Sequence, residues 1–296
     1  MRRSSDLPRP MPLANPVRLT SPAWLVSLLL LLAFPGAAPA QRLAFSDADF
    51  DAASVAQIRA ALDALPAADY EKKRYAAGGR VLPYRLLRPK ELRAHERYPL
   101  VVTLHNSSRI GRDNEKQLEP LARIWLRADI RRRYPAFVIA PQFETRSSTY
   151  AEDPVRQVPA SSPSADARAV LALVGETLAD HPEIDRDRVY LVGYSMGAST
   201  AQNLMSLAPD LFAALVSIAG VPDFSNLRGI GAKPIWLIHG RRDEDNPYAG
   251  SVRLDEALQG DRRVRFTTYN RLDHATITIP FLLSEDLPAW LFGQKR

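Results

Sequence analysis

Cysteine is absent from the 296-residue chain. The protein therefore has no disulfide framework, no thiolate metal ligand and no cysteine that could carry a lipid. A chain of this composition has to be stabilised by its hydrophobic core, and its length is sufficient to form one.

The sequence also lacks a run of basic residues suited to nucleic acid. Lysine and arginine number 39 against 33 acidic residues, and 35 against 32 once residues 1–40 are set aside. The R-R-R at 131–133 is explained by the end of a helix, where cations interact favourably with the helix dipole. We therefore expect no nucleic-acid partner.

Cofactor-binding motifs are missing as well. No nucleotide-binding loop, zinc motif or EF-hand loop occurs in the sequence. We expect neither a cofactor nor a bound metal.

One apolar run stands near the start of the chain, but it is short. Four arginines precede Trp24–Phe34, and the small-x-small pattern Ala38-Pro39-Ala40 follows it. This order is typical of a secretory signal peptide cleaved after Ala40. The run is shorter than the ~20 residues of a membrane span, so an uncleaved anchor is the weaker alternative. We expect an exported protein, periplasmic or secreted, whose mature chain is not inserted in a membrane.

Short apolar runs alternate with helical segments along the rest of the chain, which predicts a doubly wound, mostly parallel sheet flanked by helices. An edge strand is expected at Val81–Leu87, after a polar stretch that ends in a turn at Gly78-Gly79. Runs typical of buried strands are 100–104, 137–140, 189–192, 215–218, 235–238 and 264–269. Helices are predicted near 55–65, 118–133, 165–179 and 198–208.

Two connections between these elements bear on function. Residues 219–234 are too few to form a helical cap domain, so any site at this edge of the sheet is expected to be open. The polar, proline-rich stretch Glu144–Pro163 is long for a loop in a compact domain. We expect it to line a substrate cleft.

The pentapeptide G-Y-S-M-G at 193–197 lies between a predicted strand and a predicted helix. This is the context of a nucleophile elbow, in which the two glycines permit a tight turn that exposes Ser195 above the sheet. The motif predicts a serine hydrolase.

An activated serine needs a base and an acid that orients the base. In proteins with a nucleophile elbow, the acid follows the serine in the chain and the histidine follows the acid. His274, just past the last predicted strand, is the expected base. Asp243 follows the Ile235 strand and is the first candidate for the acid. Asp245 and Asp223 remain alternatives.

An oxyanion hole is expected to combine two backbone N–H groups. One belongs to Met196, directly after the nucleophile and at the start of a helix. The other lies in the loop 105–108 after the Leu100 strand. His105 in that loop is expected to be structural.

These motifs resemble those of secreted α/β-hydrolase serine esterases: the carboxylesterase/phospholipase and "predicted peptidase" type, related to poly(3-hydroxybutyrate) depolymerase-like esterases. The resemblance covers residues 80–296. It implies an α/β-hydrolase fold without a large cap, with Ser195, Asp243 and His274 as triad and Ser107 as the second oxyanion donor. The shared segments are P-L-V-V-T-L-H at 99–105, G-R-D-N-E-K-Q-L at 111–118, A-P-Q at 140–142, G-Y-S-M-G, H-G-R-R-D-E-D-N-P, Asp273-His274 and L-P-A-W-L-F at 287–292.

The chain departs from this family at one place, where His105-Asn106 replaces the usual H-G. We expect Asn106 to adopt a left-handed backbone, since asparagine tolerates positive φ better than most residues. Its side chain is then expected to reshape the oxyanion hole.

We therefore expect residues 41–296 to form one α/β-hydrolase domain, with a helical extension at 41–79 and a catalytic core at 80–296. The expected function is hydrolysis of carboxylic esters, small or polymeric, through an acyl-enzyme. Peptide or amide hydrolysis by the same triad is the alternative. A hydrolase-fold binding protein without activity is a third reading.

Overall fold

A computed structural model describes residues 42–77, 80–258 and 263–296. The predicted signal peptide, its cleavage point after Ala40 and the predicted Gly78-Gly79 turn lie outside these residues. Within the described ranges, no helix combines the length and the apolar character that crossing a membrane requires.

The described chain contains a nine-stranded sheet. Its strands are β1 Leu43–Ser46, β2 Glu71–Ala77, β3 Arg80–Leu87, β4 Tyr98–Leu104, β5 Phe137–Pro141, β8 Ile184–Tyr194, β9 Ala214–Ile218, β10 Ile235–Gly240 and β11 Val264–Tyr269. They lie in the order β1-β11-β10-β9-β8-β4-β5-β3-β2. All pairs from β1 to β5 along this order are parallel, while the β5–β3 and β3–β2 pairs are antiparallel. The predicted mostly parallel sheet is confirmed.

Helices cover both faces of this sheet. Their bounds are α1 Ala52–Asp63, α2 Pro120–Arg123, α3 Ala128–Arg133, α4 Ala165–Asp180, α5 Met196–Leu207, α6 Leu227–Gly231, α7 Tyr248–Ala257, α8 Ile279–Leu282 and α9 Asp286–Phe292. Alternate residues of each central strand face opposite sides, so Val101 belongs to one core cluster and Leu100 and Val102 to the other. A strand buried on both faces is apolar throughout, and this explains the continuous hydrophobic runs in the sequence.

The expected helical extension at 41–79 also contains two strands of the sheet. Besides α1, it supplies β1, which pairs with β11 at one edge of the sheet, and β2, which pairs with β3 at the other. The boundary at residue 79/80 therefore falls within one antiparallel pair of strands. β2 begins E-K-K-R, and charged side chains of this kind are common on edge strands because they discourage pairing with other chains.

The stretch Glu144–Pro163 is a β-hairpin and not an irregular loop. It forms β6 Ser148–Asp153 and β7 Val158–Pro163, a separate two-stranded sheet. Asn203 on α5 holds the hairpin, since its side chain accepts from Ser148 Oγ at 2.6 Å and donates to Ser161 Oγ at 3.1 Å. The hairpin is thereby placed on the helix that follows Ser195.

Candidate active site

Ser195 occupies the sharp turn between β8 and α5. Its backbone angles are φ 58° and ψ −122°, a strained conformation for a residue with a side chain. A Cβ at Gly193 would overlap the carbonyl of Gly197, and one at Gly197 would overlap the carbonyl of Leu104. Glycine is therefore required on both sides of the serine, as the sequence motif predicts.

His274 lies beside Ser195 and connects it to Asp243. The ring Nε2 is 2.9 Å from Ser195 Oγ, and Nδ1 is 2.7 Å from Asp243 Oδ2. Tyr194 holds the backbone of His274, since its hydroxyl donates to the His274 carbonyl at 2.6 Å, and its ring lies 5.1 Å from the imidazole. The structure thus brings three of the predicted residues into one hydrogen-bonded chain.

The Asp243 side chain is fully buried, and hydrogen bonds compensate its charge. Burial alone would raise its pKa, but hydrogen bonds from His239, His274 and the Asn246 amide outweigh burial and hold the pKa well below its usual value. An ionised Asp243 can only accept, so His274 Nδ1 carries the hydrogen and Nε2 is free to accept from Ser195.

His239 and Asn246 support this carboxylate and were not singled out from the sequence. His239 Nε2 is 3.2 Å from Asp243 Oδ2, and the Asn246 amide donates to Oδ1 at 2.8 Å. The Asn246 side chain also donates to the Ala219 carbonyl, which ties the loop to the end of β9. Both residues stand in the H-G-R-R-D-E-D-N-P segment, so their proximity in sequence was the available signal.

The other two candidate acids are placed differently. Asp245 is exposed, and its amide donates to Asp243 Oδ1 at 3.1 Å. Asp223 is buried and accepts from Asn203 Nδ2 at 2.8 Å, as part of the contact between α5 and the hairpin. Neither carboxylate has a hydrogen bond to His274 among the described contacts.

The loop after β4 differs from the expectation at Asn106. Its φ is −73° and its ψ is 170°, so the predicted left-handed backbone is wrong. Asn106 instead caps the 3₁₀ turn at 107–109, because its side-chain oxygen accepts from Ser108 N at 2.8 Å. Its side-chain Nδ2 donates to Glu119 Oε2 at 2.5 Å. A residue that caps the start of a helical turn has an extended backbone, and this role explains why Asn106 is not left-handed.

The amides of Ser107 and Met196 each begin a helical turn next to Ser195. Among the described residues neither amide donates to a protein acceptor, as is usual for the first position of a helix. His105 anchors the loop that carries Ser107. Its Nε2 accepts from the Phe143 amide at 3.0 Å, and its Nδ1 lies 2.7 Å from the Asn106 carbonyl. Because both partners are backbone groups, the role of His105 is structural.

Ser195 and His274 line an open cleft of about 900 Å³. Arg146 and Tyr150 from the stretch Glu144–Pro163 line it as well, so the expectation that this stretch borders the cleft is confirmed. The cleft wall also includes the Asn106–Arg109 loop and the buried Glu119.

The model of the family "Esterase PHB depolymerase" matches residues 82–245, more than half of the chain. The chain belongs to this family. The family resemblance inferred from the sequence is therefore confirmed.

Two relatives are esterases by name. A thermostable esterase of known crystal structure is 30% identical with a TM-score of 0.69, over 77% of this chain and 64% of that one. NocK of Nocardia uniformis subsp. tsuyamanensis, named as an esterase, is 36% identical over 90 residues, 30% of this chain and 26% of NocK. The chain thus spans about a quarter of NocK and just under two thirds of the thermostable esterase.

A more distant structure shares the α/β-hydrolase fold. The acylaminoacyl peptidase of Pyrococcus horikoshii is 17% identical with a TM-score of 0.52, over 72% of this chain and 38% of that one. At this identity the likeness concerns the fold, and the predicted fold class is confirmed.

The buried Glu119 is expected to make the stability of the protein depend on pH. Burial raises its pKa to about 8 from 4.5, although the Asn106 amide, the charge of Arg109 and the Asn106 side chain lower it. The raised pKa means that its contribution to stability is fully present below pH 4.5 and is lost as the pH rises through about 8. Glu119→Gln keeps an acceptor for Asn106 and cannot ionise.

We expect the free energy of unfolding of Glu119→Gln to exceed that of the wild type at pH 8–9 by on the order of a few kcal/mol. The gain should shrink towards pH 5, because this pH is close to the pKa of 4.5 that the group has in the unfolded chain, and ionisation then favours unfolding only slightly. Urea unfolding of both proteins across pH 5–9 measures the difference. A difference that does not vary with pH would contradict the assignment.

Proposed function

We propose that the protein is an exported carboxylic ester hydrolase that acts through Ser195, His274 and Asp243. The observation that carries this proposal is the hydrogen-bonded chain from Ser195 Oγ through the His274 ring to the buried Asp243 carboxylate. Membership of an esterase family supports ester chemistry.

The reaction begins when Ser195 Oγ attacks the carbonyl carbon of the ester. The serine proton passes to His274 Nε2, and the carbonyl π electrons move onto its oxygen to give a tetrahedral intermediate. Asp243 stabilises the imidazolium that forms. The amides of Ser107 and Met196 donate to the new oxyanion, and the dipole of α5 favours its negative charge.

The intermediate collapses by breaking the bond to the alcohol oxygen. That oxygen takes the proton from His274 Nε2 and leaves as the alcohol, so the acyl group remains on Ser195. Water then attacks the acyl carbon and gives a proton to His274. Collapse of the second intermediate releases the carboxylic acid and returns the proton to Ser195 Oγ.

Ser195→Ala tests the nucleophile. We expect hydrolysis of p-nitrophenyl butyrate to fall at least about a thousandfold, because no other group can form the acyl-enzyme. The melting temperature should stay close to that of the wild type, and Ser162→Ala, an exposed serine on the hairpin, should keep full activity. Turnover of Ser195→Ala near the wild-type rate would refute the proposal.

The substrate class is tested with the wild type on matched ester and peptide libraries. Faster cleavage of peptides than of esters would favour the peptidase alternative. Failure to cleave either library would favour a binding protein without activity.

Asp243→Asn tests the acid. The asparagine amide would donate to His274 Nδ1 and move the ring hydrogen to Nε2, where it can no longer accept from Ser195. We expect kcat to fall by about 10⁴-fold. Asp245→Asn should change kcat less than tenfold, while Asp223→Asn should mainly affect the docking of the hairpin. A larger loss of kcat in either of these two variants would transfer the role of the acid to that residue.

Export rests on residues 1–40, with their arginines, apolar run and small residues. We expect the exported protein to begin at Gln41. Amino-terminal sequencing and intact mass measure this start. An exported or membrane-bound chain that keeps Trp24–Phe34 would contradict cleavage.

A further inference from the structure

Two arginines line the cleft without a hydrogen bond or ion pair from their guanidinium groups among the described contacts. Arg109 is half-buried, and its Nε is shielded from solvent yet donates to no acceptor in the described part of the chain. Arg146 is exposed and has no ion pair or hydrogen bond from its guanidinium among the described contacts. It lies over the ring of Tyr150, 5.1 Å from the centroid.

The other cations of the cleft are engaged by the protein. Arg59 donates to the Ala275 carbonyl at 2.7 Å, and Arg123 donates to the Leu118 carbonyl at 2.9 Å. Lys116 lies 3.6 Å from an Asp113 carboxylate oxygen. Arg109 and Arg146 therefore differ from these neighbours in that no hydrogen bond or ion pair of their guanidinium groups is found among the described contacts.

Nearby carboxyl groups do not neutralise the two arginines. Glu119 interacts electrostatically with Arg109, but its pKa is raised to about 8, so it is largely uncharged at neutral pH. Asp245 also lines the cleft, yet it follows β10, on the opposite side of β8 from the strands that precede the arginines. Glu115 lines the cleft as well, but it is paired with Lys72 and Arg85. The part of the cleft beside β4 and β5 is therefore left with a net positive charge.

Arg146 and Ser195 line the same cleft, and Tyr150 of the hairpin connects them. The Tyr150 hydroxyl is 3.2 Å from Ser199 Oγ, and Ser199 Oγ donates to the Ser195 carbonyl at 3.4 Å. Arg109 ends the 3₁₀ turn that begins at Ser107. Arg146 is thus connected to the nucleophile through Tyr150 and Ser199, and the turn that carries Arg109 lines the same cleft as Ser195.

We propose that Arg109 and Arg146 form a subsite for a carboxylate on the acyl part of the substrate, so that half-esters of dicarboxylic acids are preferred. The proposal rests on the ester hydrolysis proposed above. The leaving alcohol takes its proton from His274, on the side of β10 and β11. The acyl part then extends towards β4 and β5, where arginine guanidinium groups bind a carboxylate with paired hydrogen bonds.

The test compares monoethyl adipate with ethyl heptanoate, in which an ethyl group replaces the distal carboxylate. We expect the wild type to show at least about tenfold higher kcat/KM for the half-ester, with a smaller preference at high salt. Arg109→Gln and Arg146→Gln should each lower this ratio severalfold, and Arg109→Lys should retain part of it. Lys116→Gln, a cation of the same cleft that is paired with Asp113, should leave the ratio unchanged.

A second pair of substrates tests where the carboxylate lies. 4-Acetoxybutyrate carries the carboxylate on the alcohol part of the ester. Pentyl acetate is its neutral counterpart, in which an ethyl group replaces that carboxylate. A larger, arginine-dependent preference within this pair would overturn the acyl assignment. Equal or faster hydrolysis of ethyl heptanoate by the wild type, or an unchanged ratio in both arginine variants, would overturn the subsite while leaving ester hydrolysis intact.

Binding of the product separates the two proposals. Calorimetry should show that the wild type binds adipate more tightly than heptanoate, and that the preference is lost in the double variant Arg109→Gln/Arg146→Gln. This result with no ester turnover would support the subsite and refute the proposed function. No preference for adipate would refute the subsite whatever the turnover.

Discussion

The whole site depends on the strained backbone at Ser195, which the surrounding chain has to hold in place. The Ser195 amide donates to the Ile218 carbonyl at 2.9 Å, and the carbonyl accepts from the Ala198 and Ser199 amides. Gly197 packs directly on the Leu104 carbonyl, so the start of α5 and the end of β4 are in backbone contact. This contact brings the amides of Ser107 and Met196 to the same edge of the sheet as the serine. A strained turn of this kind persists only where such packing over-determines it.

The buried charge of Asp243 is the second constraint. An isolated carboxylate at this depth would be protonated, and it would then be a poor partner for an imidazolium. His239 comes from the end of β10 and Asn246 from the following loop, so the segment that carries Asp243 also supplies two of its polar partners. Besides His274, the acid thus keeps its charge because of two neighbours that have no contact with Ser195 Oγ among the described hydrogen bonds.

The parts of the site predicted from sequence are those with local constraints. The glycines around Ser195 and the chain order of acid and histidine needed no knowledge of distant contacts. The apolar runs located the parallel strands β4, β5 and β8–β11, but not the short parallel strand β1. The strand β2 was missed because its charged residues mask any alternation. The hairpin was missed because side chains on α5, far along the sequence, hold it. Asn106 was misjudged for the same reason, since Glu119 determines what its side chain does.

Charge is distributed unevenly around the site, and two buried carboxyl groups, those of Asp243 and Glu119, illustrate how. Asp243 is ionised and lies behind His274, where a positive charge develops during the proposed reaction. Glu119 lies behind Asn106, next to the Ser107 amide, where a negative charge develops. An ionised carboxylate there would repel the oxyanion strongly, since little solvent separates them. Burial with few compensating donors keeps Glu119 protonated, and it can then support the loop through Asn106 without opposing the oxyanion. If Asp243 were protonated and Glu119 ionised, the imidazolium would lose its charged partner and the oxyanion would be repelled.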